Sequence, residues 1–402
     1  MMKLKLRVGI LSLPFLTMSA LVITSAFSAI IQAFPDESVA KIQMIGTVPS
    51  FGTLLATIVC GMLVTRVPKK ILALIGLFLI AVGGLLPLVF HASVNELLVS
   101  ATVLGLGLGF TSPVTPMLVA MYFEGDERAS VMGETTAINS LGSIVMMLFG
   151  GFLGATNWIN TYLAFFLTIV IFFLVLFLLP MDHVQRVTNG QAVGGTLQLL
   201  GKMNHFVWIA AIIGLLMSLI YTIYPTNLSI IVAGKQLGGT SMTGIVNAVG
   251  TVGGFVAGFS LSKINKVVKD KTLGVGFVTL AVTFLLIRIA SNVVIVLLGA
   301  VLSGFAMAMV MATIPFYVSI VAKPVEMALA MTVFQFLNSL GGVFTPLILK
   351  WLHIGAGNQA FVAGFVASLV MATVCFMTNI GKRVMHTVAG QAEATPSTAQ
   401  TE

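Results

Sequence analysis

Long apolar runs alternate with short polar gaps along the whole chain. A window of about 19 residues resolves twelve apolar stretches, at 8–34, 43–65, 71–90, 95–122, 130–154, 159–181, 206–233, 240–262, 272–290, 292–320, 327–350 and 358–381. Each is close to the ~20 apolar residues that a helix needs to cross a bilayer core. The pattern predicts an all-α polytopic membrane protein with twelve transmembrane helices. The gap at 182–205 is longer than the others, polar and glycine-bearing, and it separates two groups of six. This gives an N-terminal six-helix half (1–181), a cytoplasmic central loop (182–205), a C-terminal six-helix half (206–384) and a polar tail (385–402) expected to be disordered.

Composition removes the competing classes. Hydrophobic residues make 58% of the chain and charged residues 8%, against roughly a quarter charged in a soluble domain. The mean hydropathy is +1.09. A soluble enzyme, a nucleic-acid binder and a disordered protein are excluded. The net charge of +8 is scattered through short gaps rather than clustered, so no nucleic-acid partner is expected. Cys60 and Cys375 lie inside apolar runs with no metal-ligand spacing, and read as small packing residues. No cofactor or metal is implied. Lys3, Lys5 and Arg7, an apolar run and the small residues from Ser25 to Ala29 imitate a secretory signal. The run continues through Ile30 and Ile31, and cleavage would leave an odd number of spans, so this segment is expected to stay as the first helix.

With the amino terminus in the cytoplasm, 16 basic residues fall inside and 4 (Lys41, Lys235, Arg288 and Lys350) outside. The positive-inside rule then places both termini in the cytoplasm, and the plasma (cytoplasmic) membrane is the expected location.

The two groups of six match each other. Asn139-Ser140-Leu141-Gly142 recurs as Asn338-Ser339-Leu340-Gly341, an offset of 199. The same offset pairs Glu127 with Glu326, Ala129 with Ala328, Met132 with Met331, Pro116 with Pro315, and Met18-Ser19 with Met217-Ser218. Each pair joins spans of equal rank in the two halves, as an internal duplication requires. A second signature, Gly, three residues, a hydroxyl, a base, two residues, Lys, runs from Gly61 through Thr65 and Arg66 to Lys69. It recurs from Gly258 through Ser262 and Lys263 to Lys266, at offset 197.

On these residues the chain resembles the major facilitator superfamily over essentially its whole length. Resemblance implies two six-helix halves related by an axis along the membrane normal, each built from inverted repeats of three helices. The family's loop after span 2 usually reads Gly-x-x-x-Asp-Arg-x-Gly-Arg/Lys-Arg/Lys. This sequence keeps Gly61, Arg66, Lys69 and Lys70 but has Thr65 for the acid and Pro68 for the second glycine, which puts the Asp-based cytoplasmic latch in doubt. The segment from Glu127-Arg128-Ala129 to Gly133 is similar to the family's loop after span 4. Drug/proton antiporters of the family often carry Gly-x-x-x-Gly-Pro-x-x-Gly-Gly in span 5. Gly142, Gly150 and Gly151 fit that pattern, whereas Met146-Met147 does not.

The resemblance places a central cavity between spans 1, 4, 7 and 10, whose apolar cores hold no Asp, Glu, Lys, Arg or His. An intramembrane charge is expensive and usually functional, so a neutral or amphipathic solute is the expected substrate. Glu134 is the acid inside a span, apart from Glu96 at a span edge. It reads as a gate partner for Arg66, Lys69 or Arg128, or as a proton-titrating coupling residue. The candidate substrate contacts are Ser25, Ser28 and Gln32 in span 1, and Thr111 and Thr115 in span 4. Span 7 adds Tyr221, Tyr224 and Asn227, span 5 adds Asn139, and span 11 adds Gln335 and Asn338. Hydrogen bonding between helices is the competing role of each. Met307, Met309 and Met311 read as packing. Gly250, Gly254 and Gly258 are expected to permit sliding between the halves. The candidate gating and coupling residues are Arg66, Lys69, Glu127, Arg128, Glu134, Lys263, Lys266 and Glu326, on loops at 61–70, 123–130, 258–271 and 322–326.

The expected function is secondary-active transport of a small organic solute by alternating access. Efflux of a neutral or amphipathic compound or drug is the leading reading. Uptake or facilitated diffusion of an aromatic or carboxylate metabolite is the alternative. Expected partners are the solute, the lipid bilayer and a proton as coupling ion, with the chain acting as a monomer. A membrane-embedded enzyme is disfavoured because His91, His183, His205, His353 and His386 lie in loops or at span ends. A sensor or scaffold role is disfavoured, since no appended soluble domain that could relay a signal is expected.

Overall fold

The computed structural model describes residues 2–64, 66–181, 205–321 and 327–383. The central loop, apart from His205, and the tail expected at 385–402 lie outside the described residues. So do Glu326, Thr65 and the segment 322–326.

Among the described residues, twelve helical stretches are long and apolar enough to cross a membrane. They are α1 (Leu4–Ala33), α2 (Val39–Leu63), α3 (Lys69–Leu88), α4 (Val94–Val119), α5 (Glu134–Leu153) and α6 (Trp158–Leu178). The second set is α7 (His205–Gly234), α8 (Thr240–Ala257), α9 (Thr272–Ile289), α10 (Val293–Pro315), α11 (Val333–Trp351) and α12 (Asn358–Arg383). Alternating direction through an even number of helices puts both termini at one end of the bundle. Gly9 packs on Leu178 there, and Gly381 lies against the Asp270 carbonyl. This is called the terminal end below, and the opposite end the far end.

Several helices extend past their apolar stretch. That of α5 begins at Gly125 and that of α8 runs to Val268 before a 3-10 turn over Lys269–Lys271. Lys263 and Lys266, expected on a loop, therefore sit on a helix. α1 is not one continuous α-helix as expected. It runs α-helical over Met2–Ser12, turns 3-10 over Leu13–Leu16 and Ser19–Ala26, and returns to α-helix at Phe27–Ala33. Pro14 has no N–H to give to the i→i−4 ladder, which starts the break. Start signals act where the gaps are polar. Ser93 accepts from the Glu96 N–H at 3.4 Å while the Glu96 carboxylate accepts from the Ala92 N–H at 2.8 Å. This is a capping-box arrangement, and it gives Glu96 a structural role.

Buried apolar residues form two cores, one drawn from residues 10–179 and the other from 207–375. The large apolar residues left exposed, such as Phe149, Phe152 and Phe177, cover outward faces suited to lipid. The duplication reaches into the packing. Gly142 of α5 sits against the Phe15 backbone of α1, and Gly341 of α11 against the Leu215 backbone of α7. Gly105 of α4 sits on Pro49 of α2, and Gly304 of α10, 199 residues later, sits on Gly250 of α8. These glycines let backbones touch where a side chain would hold them apart.

One expectation is corrected here. Gly250 and Gly254 face Ala300 and Gly304 of α10, inside the second half, rather than the first half. At the seam between the halves it is Gly151 of α5 and Gly244 of α8 that meet. Four-residue spacing marks a close-packing face but carries no information on which helix fills it.

Candidate functional site

At the far end a set of polar contacts joins the two halves. The Gln43 side chain of α2 is 3% exposed. Its Nε2 donates to the Thr226 carbonyl and to Asn227 Oδ1, each at 3.0 Å. The same Asn227 oxygen accepts from the Gly357 N–H at 2.9 Å, and Asn227 Nδ2 donates to the Ile223 carbonyl at 3.1 Å and to Thr226 Oγ1 at 3.2 Å. Pro225 fills the place of a donor one turn above Tyr221, and the carbonyls around it are available to such side chains. Nearby, the Ser28 N–H donates to Ser229 Oγ at 2.9 Å, Asn247 Nδ2 to Thr24 Oγ1 at 3.4 Å, and Ser241 Oγ to the Gly151 carbonyl at 3.2 Å. Ser28 and Asn227 are 199 residues apart, so equivalent points of α1 and α7 both lie in this seal. No charged side chain takes part in these bonds. Amides and hydroxyls can be taken out of water again, each time such a contact closes, at lower cost than ions.

Toward the terminal end each half presents a polar stripe at helical i, i+3, i+4, i+7 spacing. On α5 it is Thr136, Asn139, Ser140 and Ser143; on α11, at the same offset of 199, it is Gln335, Asn338, Ser339 and Gly342. Both stripes pass from an exposed first residue through two half-buried ones to a buried last one. Ser143 donates to Met147 Sδ at 3.9 Å, and Thr251 of α8 reaches the same sulfur from the other half at 3.8 Å. The α5 stripe thus ends at the seam. On α7, Ser218 and Tyr221 are half-buried while Tyr224 and Asn227 are buried, so access falls in the same direction. The Tyr221 and Tyr224 rings lie 6.1 Å apart at 46°. These three faces, each losing solvent access toward the far-end seal, are called the vestibule below.

The other expected substrate contacts fall in several places. Ser25 is 1% exposed and donates to the Val22 carbonyl at 2.8 Å. Gln32 is exposed at the far end of α1, outside the vestibule. Thr111 and Thr115 donate back to their own helix, Thr111 to the Leu108 carbonyl at 3.2 Å and Thr115 to the Thr111 carbonyl at 3.1 Å. The Thr111 methyl covers Gly76 of α3, so this residue faces away from the other half. Asn139 and Asn338 each keep a buried Oδ1 without a hydrogen-bond partner. Gln43, Thr136 and Ser143 are polar residues of α2 and α5 that the sequence analysis did not single out, although the i, i+3, i+4, i+7 spacing of Thr136, Asn139, Ser140 and Ser143 carries the signal.

The charges were also redistributed. Glu134 pairs with Arg7 of α1, through Arg7 Nε to Oε2 at 2.9 Å and Nη2 to Oε1. The expected partners were Arg66, Lys69 or Arg128. The α5 helix begins before the apolar run does, so Glu134 stands about two and a half turns inside it, beside the first turns of α1. Across the duplication the pair is replaced by Phe206 and Val333, which leaves the ion pair to the first half. Arg66 and Glu127 are exposed and Lys69 is half-buried at the start of α3. The side chains of Arg128, Lys263 and Lys266 lie outside the described set. Lys70, the last residue of the loop signature, donates to the Leu176 carbonyl at 2.8 Å and the Leu179 carbonyl at 2.6 Å. It caps the end of α6. Lys235 does the same for α9, donating to the carbonyls of Ile287, Arg288 and Ala290. Burial and the nearby Arg288 push its pKa down.

Comparisons with known proteins agree with this architecture. The fold is similar to the crystal structure of a mutant of the nucleoside transporter NupG, with 14% identity, 94% of this chain and 99% of that chain covered, and a TM-score of 0.79. It is also similar to a bacterial homolog of the human lysosomal transporter Spinster, solved inward-facing and unoccupied. There the identity is 13%, the coverage 96% of this chain and 98% of that one, and the TM-score 0.72. A search of curated protein sequences finds no match. The family described as Major Facilitator Superfamily matches residues 11–346, and the chain, a twelve-helix membrane transporter of small solutes, belongs to that superfamily.

Proposed function

We propose that this protein is a secondary-active carrier that exports a neutral, hydrogen-bonding organic solute by alternating access. It sits in the cytoplasmic membrane with both termini in the cytoplasm. In that orientation the far-end seal faces outward and the vestibule opens to the cytoplasm. The observation that carries the reading is the pairing of a seal made of amides and hydroxyls with a duplicated, uncharged polar vestibule. Charges in such a site would demand a counter-charge on the substrate; amides and hydroxyls demand hydrogen-bonding groups. Nucleosides, the solutes named for one structural neighbour, are of this neutral, polar and aromatic kind. The halves 1–181 and 206–384 act as the two moving bodies.

The Arg7–Glu134 pair favours facilitated diffusion as a second reading of the energetics, because it engages the in-span acid that would otherwise be the nearest proton carrier. Liposomes loaded with neutral solutes and assayed with and without a pH gradient test both. Net outward flux that follows the gradient supports coupled export. Flux to equilibrium in either direction, indifferent to pH, supports facilitated diffusion. No flux of any solute overturns the transport reading.

A further inference from the structure

The amides at Asn139 and Asn338 differ from the others in the seal. Gln43 and Asn227 use their polar atoms on protein partners. Asn139 and Asn338 each leave Oδ1 buried with nothing donating to it. An amide kept to clamp two helices would be bonded to the neighbouring helix. Here that contact is made one turn further along by Gly142 on Phe15 and Gly341 on Leu215, backbone against backbone. The two carboxamides are therefore dispensable for helix contact, and each costs the empty protein the desolvation of an unmet acceptor. Both halves carry this cost at the same register, within stripes of matching exposure.

We propose that Asn139 and Asn338 are the paired poles of the solute site, each accepting a hydrogen bond from an N–H or O–H on one edge of a single neutral solute. The inference rests on the transport reading above and narrows its substrate class. The solute carries at least two donors on separate edges, as carboxamides, ureas, nucleobases and polyols do, and carries no net charge. Because one residue comes from each half, a bound solute ties the halves together across the vestibule. The carboxamide supplies N–H donors as well, so acceptors next to the solute's donors strengthen the match.

The test uses the full-length protein in lipid nanodiscs, with thermal shift and flux measured for pairs of neutral solutes and their donor-blocked twins. Uridine with 3-methyluridine and nicotinamide with N,N-dimethylnicotinamide are two such pairs. Donor-bearing members are expected to stabilise the wild-type protein more than their twins. Asn139→Leu and Asn338→Leu, which keep the branched shape of the amide, are expected to raise the melting temperature of the empty protein by about 1–3 °C. Each is also expected to weaken binding of the donor-bearing solute by about three- to tenfold, and the double variant should no longer distinguish the twins. Asn139→Gln and Asn338→Gln, which keep the chemistry, should retain the discrimination if either Leu variant fails to fold. A solute that is transported and binds wild type and both Leu variants equally overturns the pairing while leaving the transport reading intact. So does a fall in empty-protein stability in both Leu variants. Absence of binding and flux across the whole panel overturns both.

Discussion

Gln43 of α2 donates its side-chain amide to Asn227 of α7 at 3.0 Å, across the interface between the two halves, with both residues all but inaccessible to solvent. The bond is central to the far-end seal, since the Asn227 oxygen also accepts from Gly357 at the start of α12. Separating the halves at this end breaks the bonds from Gln43 to Asn227 and to the Thr226 carbonyl, while the Gly357 bond stays within the second half.

Gln43→Leu is expected to weaken the sealed state by about 1–3 kcal/mol, because the Asn227 amide loses a donor while still buried. That is enough to move a two-state equilibrium roughly five- to 150-fold. A cysteine at Ser28, with Cys60 and Cys375 replaced by Ala, should react faster with a membrane-impermeant thiol reagent from the far side in the Gln43→Leu background. Unchanged labelling would mean that the seal does not depend on this amide.

Gly142 and Gly341 should be equivalent in their intolerance. A Cβ at either meets backbone of the adjacent helix. Gly142→Ala and Gly341→Ala are each expected to cost about 1–3 kcal/mol through overpacking. At Gly342, one residue on, an added Cβ meets Ser218 Oγ at 3.4 Å and Thr222 Oγ1 at 3.5 Å, which is ordinary contact. Gly342→Ala should leave the melting temperature near that of the wild type, and thermal unfolding of the three purified variants makes the comparison.

Arg7 and Glu134 should behave as a unit. Both side chains are about one-third exposed, so solvent screens the pair and its loss is expected to lower stability only modestly. Arg7→Gln and Glu134→Gln should each reduce the melting temperature, and the double variant should lose no more than the larger single loss. Flux should survive in all three. A Glu134→Gln protein of normal stability that no longer responds to a pH gradient would instead make this acid the proton carrier.

Lys70 is expected to act on the fold and not on the gate. Its ammonium closes the two free carbonyls at the end of α6, a charge-assisted cap of about 0.3–1 kcal/mol. Lys70→Ala should lower thermal stability by that amount with little change in flux. A loss of flux at unchanged stability would instead give it a part in gating.

Much of the fold was legible without coordinates. The apolar runs gave the number of helices and their limits to within a few residues, because lipid forces every backbone polar group to be satisfied inside a helix. Spacing carried the duplication too, and the paired glycines Gly142 and Gly341 confirm it in the packing. The candidate site was legible only in part. Thr111 and Asn227 look alike in a list of polar residues within spans, yet one bonds back to its own helix and the other bridges the halves.

What the sequence alone determined was a chain with twelve membrane-crossing stretches in two related sets of six. Hydrophobicity and register are properties of neighbouring residues, so they can be read along a line. What only the tertiary structure decided was the choice of partners: Arg7 for Glu134, Gln43 for Asn227, α10 for the Gly250 face, and nothing for Asn139 and Asn338. A hydrogen bond or an ion pair depends on a few ångströms between helices far apart in the chain, and helical periodicity fixes the face a residue occupies without fixing what stands opposite it.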